Sequence, residues 1–193
     1  MPRQLTLTAL MGAAAVLLVA LMGNPFYIVR EGTQAVITRF GDPVSGAITE
    51  AGLHVKLPFI ENVNRFDERL LEWDGDPNQI PTKDKRFIWI DTTARWRIVD
   101  PLKFLQSVGN EVGAQARLDD IIDAATRDVI TEQPLIEIVR SSNRDLTRNM
   151  DDAAGEASAL IKVESIREGR NALTREILSR ARQKTPLYGI DLV

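Results

Sequence analysis

The sequence predicts an α+β fold, an antiparallel sheet followed by helices, set behind an N-terminal transmembrane helix. Three observations predict it. No charged side chain occurs between Arg3 and Arg30, and most of that interval is apolar. From Tyr27 to about Ile98, apolar residues recur with period two, as they do in half-buried strands of antiparallel sheets. After Asp100 the spacing changes to threes and fours, the period of amphipathic helices.

The first element is Leu5 to Met22, LTLTALMGAAAVLLVALM. As a helix it spans roughly 27 Å, close to the hydrocarbon thickness of a bilayer. Leu5, Leu7, Leu10, Val16, Leu17, Leu18, Val19 and Leu21 supply its apolar surface, and Asn24-Pro25 stops it. Residues 1–24 therefore read as a membrane anchor. The rival reading is a cleaved signal peptide, whose apolar stretch is shorter and ends in a small-x-small site. Arg3 and the amino terminus on one side, and Arg30 and Arg39 on the other, give little lean to the orientation.

Residues 25–99 form a β-rich region. Gln34–Phe40 reads as a strand that ends at Gly41-Asp42-Pro43. Leu53, Val55 and Leu57 alternate with His54 and Lys56, which puts the apolar three on one face, expected to be the core face. Val63–Trp73 is another extended stretch, and residues 74–78 read as a loop. Phe87–Ile98 is the clearest strand. Its Ile88, Ile90, Ala94, Trp96 and Ile98 share one face, and Lys83-Asp84-Lys85 makes a charged turn before it. Trp73, Trp89 and Trp96 fit core or interface positions.

Residues 100–193 form a helical, then α+β, region. Asp100 and Pro101 are an N-cap and a first helical residue. That short helix ends near Gly109. Glu111–Thr131 is a second helix, with Val112, Leu118, Ile121, Ile122, Ala125 and Val129 inward. Pro134 opens a third segment. A long helical pattern runs from about Asn143 to Lys184, weakened by Gly155 and Gly169, with Glu176 and Arg180 as an i,i+4 ion pair. Pro186 ends it, and Leu187–Val193 reads as the start of a strand.

The same residues bear on catalysis. The 24 Lys+Arg and 27 Asp+Glu leave a net charge of −3, which argues against nucleic acid as a partner. With no cysteine and one histidine, zinc sites of the usual kinds have no ligand set, and only an all-carboxylate site of the magnesium or calcium type stays open. No Gly-x-Ser-x-Gly elbow, GxGxxG or GxxxxGK[ST] occurs. Asp119-Asp120 and Asp151-Asp152 point about 100° apart on a helix and read as solvated faces. His54 has no sequence-level partner for acid–base work and reads as an ordinary strand residue. No catalytic, cofactor-binding or metal residue is therefore assigned.

Four ordered blocks carry a resemblance. They are VREGTQAVITRFG (29–41), EAGLHVKLPFIENV (50–63), PTKDKRFIWIDTTARWRIVDP (81–101) and EIVRSSNRDLT (137–147). The patterns Gly-Leu-His-x-x-Leu-Pro-Phe and Trp-Arg-Ile-x-Asp-Pro resemble the stomatin/prohibitin/flotillin/HflK-HflC superfamily, whose domain is called SPFH or band 7. Within it the chain looks most similar to HflC-type subunits, because only four residues precede the apolar span. The resemblance implies a non-enzymatic scaffold in the bacterial inner membrane, single-pass, with its bulk on the periplasmic side. It implies an HflK-type partner subunit in a large hetero-oligomeric cage, around a membrane-bound ATP-dependent AAA+ protease of the FtsH type. It also implies a charged helix beyond the Gly-Ile-x-x-Val strand. The alternative is a stomatin-like organiser of membrane microdomains with no protease partner. A third reading is an exported hydrolase whose signal peptide has been removed. In an anchored domain, Pro58, Phe59 and Ile60 form an apolar tip that either meets the bilayer surface or packs in the core.

Overall fold

The computed structural model describes residues 10–12, 14, 22–143 and 165–193. The described residues gather into two compact units. The first draws on residues up to Leu71, on Arg97–Asn110 and on Leu187–Asp191; the second on Glu72–Trp96, Glu111–Pro186 and Leu192–Val193.

In the first unit, β1 (Phe26–Val29) pairs antiparallel with β4 (Gly52–Val55), Tyr27 opposite His54. Strand β2 (Thr33–Arg39) lies between β3 (Asp42–Pro43) and β5 (Glu61–Asp67), with Thr33 opposite Asp67 and Arg39 opposite Glu61. Tyr27, Val29, Ala35 and Ile37 form a buried cluster on one side of β2. Gln34, Val36 and Thr38 occupy its other side and are buried too. Gln34 earns its place there by donating Nε2–H to the carbonyl of Ile98, at 2.8 Å. The helix α1 (Pro101–Ser107) covers that side, and Phe104 packs edge-on against Phe66 with ring centroids 5.3 Å apart. Asp100 caps α1 as expected, its carboxylate accepting the N–H of Lys103 at 3.0 Å. Across the last strand, Arg97 pairs with Asp191 at 3.2 Å, on the wet face expected of it.

The second unit is built on two helices, α2 (Glu111–Thr131) and α4 (Arg170–Arg182). Between them in sequence lies the short α3 (Leu135–Val139). Strands β7 (Asn78–Pro81) and β8 (Phe87–Ile90) form a hairpin whose Ile80, Ile88 and Ile90 pack on Val129, Ile130, Ile138, Leu173 and Ile177. Strands β6 (Leu71–Asp74), β9 (Thr93–Ile98) and β10 (Ile190–Leu192) make a sheet in the order β10-β9-β6, of which Glu72–Asp74, Thr93–Trp96 and Leu192 belong to this unit. Trp73 and Trp96 are buried.

Several expectations are corrected. Phe87–Ile98 is two strands, not one, broken at Asp91-Thr92 where the Thr92 carbonyl accepts the N–H of Gly75. The two halves keep the same inward face but join different partners. Asn78 already belongs to β7, so the loop before it is shorter than expected. Val112 is exposed, because it sits in the first turn of α2, ahead of the packed stretch. Trp89 is 71% exposed, so it is no core residue. Asp119 is more than a solvated acid: it accepts the Trp73 indole N–H at 2.7 Å.

The long helix expected from Asn143 does not include residues 165–169; helix begins at Arg170 and ends at Arg182, before Pro186. Residues 144–164 of that expectation lie outside the described residues. The cause at 165–169 is a competing acceptor. The buried carboxylate of Glu137 takes the N–H groups of Arg167 (2.6 Å), Glu168 (3.0 Å) and Gly169 (2.8 Å). Gly169 stands at φ 74, outside helical geometry. Asn143 adds a two-way bond, donating to the carbonyl of Ile166 and accepting its N–H, at 2.9 and 2.7 Å.

Candidate functional site

The candidate site is the outer face of the β1–β4 ribbon and the tip that follows it. In an antiparallel pair, residues directly opposite share a face. Phe26 stands opposite Val55 and Ile28 opposite Leu53, and these four are all exposed. On the other face Tyr27 and Val29 are buried, and the His54 ring stacks on Tyr27 with centroids 5.4 Å apart and planes at 24°. The expected orientation of β4 is therefore reversed. Leu53 (67%) and Val55 (66%) face outward, Leu57 is also exposed, and His54 and Lys56 lie on the more covered side. Period two groups residues by face, and the packing of β1 decides which face is buried.

His54 is held by a backbone hydrogen bond. Its Nε2 lies 2.9 Å from the carbonyl of Glu50, so this nitrogen carries the proton and donates it. The strand histidine expected from sequence is what the structure contains.

The tip is residues 57–60. It is pinned from beneath by Glu61, whose carboxylate accepts the Arg39 guanidinium at 2.8 Å and the Leu57 N–H at 2.7 Å. Lys56 Nζ donates to the Glu61 carbonyl at 3.1 Å. The hydrogen bond from Arg39, then that from Leu57, holds the Glu61 carboxyl below the usual glutamate range. Above the clamp Phe59 is 73% exposed and adopts φ 66, a rare conformation for a bulky side chain. Ile60 is exposed and Pro58 half-buried. Gly23 fits tightly beneath this turn: a Cβ there would lie 2.3 Å from Pro58 Cβ and 2.6 Å from Phe59 Cε2. The tip thus sits against the residue where the chain arrives from the apolar N-terminal stretch.

Of the anchor residues, Leu10 is described and exposed; Leu5, Leu7, Val16, Leu17, Leu18, Val19 and Leu21 lie outside the described residues. No helix of the described residues is long and apolar enough to cross a membrane. No group of three His, Cys, Asp or Glu among the described residues could hold a metal ion.

The sequence left Pro58, Phe59 and Ile60 open between core and surface, and gave no direct sign of Phe26, Ile28, Leu53 and Val55 as a continuation. The nearest signal was FYIV, a strand apolar on both faces. A two-stranded ribbon that buries one apolar face leaves the other for a second surface.

The SPFH domain / Band 7 pattern matches residues 27–193, and the chain belongs to that family. It is similar to Protein HflC of Treponema pallidum (strain Nichols), 41% identical over 182 residues, which cover 88% of this chain and 54% of the relative. It is similar to Protein HflC of Borreliella burgdorferi, 39% identical over 173 residues, covering 88% of this chain and 53% of the relative. The protein named Modulator of FtsH protease HflC, of Escherichia coli (strain K12), is 29% identical over 154 residues, covering 76% of this chain and 46% of the relative. The chain spans about half the length of the curated relatives it matches.

Proposed function

We propose that this chain is part of a non-enzymatic, membrane-anchored scaffold that regulates an FtsH-type membrane protease together with an HflK-type subunit. Residues 1–24 anchor it in the bacterial inner membrane, with the bulk on the periplasmic side. The β-rich region 25–99 and the helical region 100–193 then form the wall of a large hetero-oligomer. The name of the Escherichia coli relative, Modulator of FtsH protease HflC, supports the protease. The observation that carries the membrane part is the exposed apolar surface of Phe26, Ile28, Leu53, Val55, Leu57, Phe59 and Ile60, which meets the chain at Gly23. A surface of this kind loses little by touching lipid and is costly to leave in water, since each buried large apolar side chain contributes about 1.5–3 kcal/mol.

The chain has no cysteine, so one introduced at Phe59 is a clean probe. In the full chain reconstituted into vesicles, a polarity-sensitive fluorophore on Phe59→Cys should shift to the blue and be quenched from within the lipid. Quenching by aqueous iodide alone would reject lipid contact. Phe59→Asp should leave thermal stability within about 0.5 kcal/mol of the parent, because the side chain is exposed and Asp tolerates positive φ better than Phe. Gentle solubilisation should recover an HflK-type subunit and the protease with the chain. Their consistent absence would favour a microdomain organiser.

A further inference from the structure

Strand β2 runs into β3 through a two-residue turn, Phe40-Gly41, across which Arg39 stands opposite Asp42. Both turn residues have positive φ, 53 at Phe40 and 98 at Gly41, the signature of a type I′ hairpin turn. Such turns prefer Asn-Gly, because asparagine tolerates the left-handed region far better than a bulky ring does. Phe40 gains nothing from packing in return. It is 84% exposed, more than any other large apolar side chain among the described residues.

Phe59 repeats the conflict in the neighbouring turn, where positive φ again meets an exposed ring. The two turns are adjacent. Arg39 opposite Glu61 is the last pair of the β2–β5 ladder, and one residue beyond it lie Phe40 and Ile60. Strands in such a ladder stand about 4.8 Å apart. The Arg39–Glu61 ion pair, at 2.8 Å, ties one turn to the other, and Glu61 also holds the Leu57 N–H. Gly23, where the chain arrives from the apolar stretch 5–22, lies against Phe59. Folding explains neither phenylalanine, since each sits in a conformation that disfavours it and neither is buried; an apolar partner explains both. On the reading that the 57–60 tip touches lipid, we infer that Phe40 is a second membrane prong, which enters the interfacial region of the bilayer beside Phe59. Aromatic rings are favoured at that depth. One contact leaves the domain free to pivot about its tether at Gly23; a second, braced to the first through Arg39 and Glu61, restrains the pivot.

The test uses the full chain reconstituted into vesicles. A polarity-sensitive fluorophore on Phe40→Cys should shift to the blue and be quenched by spin-labelled lipid, as on Phe59→Cys. Glu31→Cys, exposed in the turn before β2, is the control. The strand between spans roughly 20 Å, so a label there should stay aqueous. Phe40→Asn supplies the second arm. It should raise the melting midpoint, because asparagine suits the turn, and weaken the lipid quenching of a label on Phe59→Cys. Quenching at 59 with an aqueous label at 40 would overturn the second prong and leave the tip reading intact. Quenching at neither position would reject lipid contact at this end altogether. A blue shift at 40 without quenching from lipid would put a protein over Phe40 instead, and a lower midpoint for Phe40→Asn would make its role structural; either result overturns the inference.

Discussion

Glu137→Ala should cost about 3 kcal/mol of stability, as measured by denaturant unfolding. Its carboxylate is the acceptor for three consecutive backbone N–H groups, from Arg167 to Gly169, and it is only 5% exposed. Deleting it leaves the buried N–H of Gly169 and the half-buried ones of Arg167 and Glu168 unmatched, at up to about 1–3 kcal/mol each, offset in part by water that enters the vacated space. Glu137→Gln, with one oxygen left, should cost less. The carboxyl also makes stability depend on pH. Burial pushes its pKa up, but the N–H groups of Arg167, Gly169 and Glu168 outweigh burial and leave it below the usual glutamate value. A carboxyl depressed on folding stabilises fully above its unfolded value, and that contribution is lost as pH falls through the folded value. The gap between parent and Glu137→Gln should therefore close in acid, below the ordinary glutamate value of about 4.3. A gap that stays constant across that range would show that the charge is not what the three donors need.

Gly189→Ala should cost a similar amount, about 3 kcal/mol, for a different reason. Gly189 has φ 70, and a Cβ there would lie 2.3 Å from the Asp100 carbonyl oxygen and 3.0 Å from the Phe104 nitrogen. Both are backbone atoms at the start of α1, so no side chain can swing aside. The Gly189 carbonyl also accepts the N–H groups of Val99 and Asp100, at 2.9 and 3.1 Å. Alanine would add the strain of positive φ to the overlap. Gly41→Ala separates the two causes: φ there is 98, but nothing lies within 4 Å, so only the backbone cost of about 1 kcal/mol remains. Equal losses at the two positions would mean that the close approach at Gly189 is relieved by a small shift.

Local chemistry was legible wherever it was sufficient. Asp100-Pro101 starts a helix because its carboxylate can cap and its ring suits the first turn, and the structure has that helix. Glu111–Thr131 is helical over its expected length, and its apolar spacing holds from Ala114 to Ile130. Glu176 and Arg180 pair as their spacing requires. Elsewhere the deciding partner was distant in sequence. Helix propensity at 165–169 lost to Glu137, some thirty residues earlier, and Asp119 found Trp73 across 46 positions. The continuous pattern of Phe87–Ile98 could not reveal that its halves pair with different strands.

The apolar site shows the same division. The sequence by itself determined the family, the lack of cysteine in these residues and the alternation along GLHV, and it left Pro58-Phe59-Ile60 open between core and surface. Only the tertiary structure decided that Leu53 and Val55 face outward while His54 turns in against Tyr27. A strand's period is a property of its own backbone, so it is written locally. Which side is covered depends on what the neighbouring strand presents, and that is set by the whole packed unit.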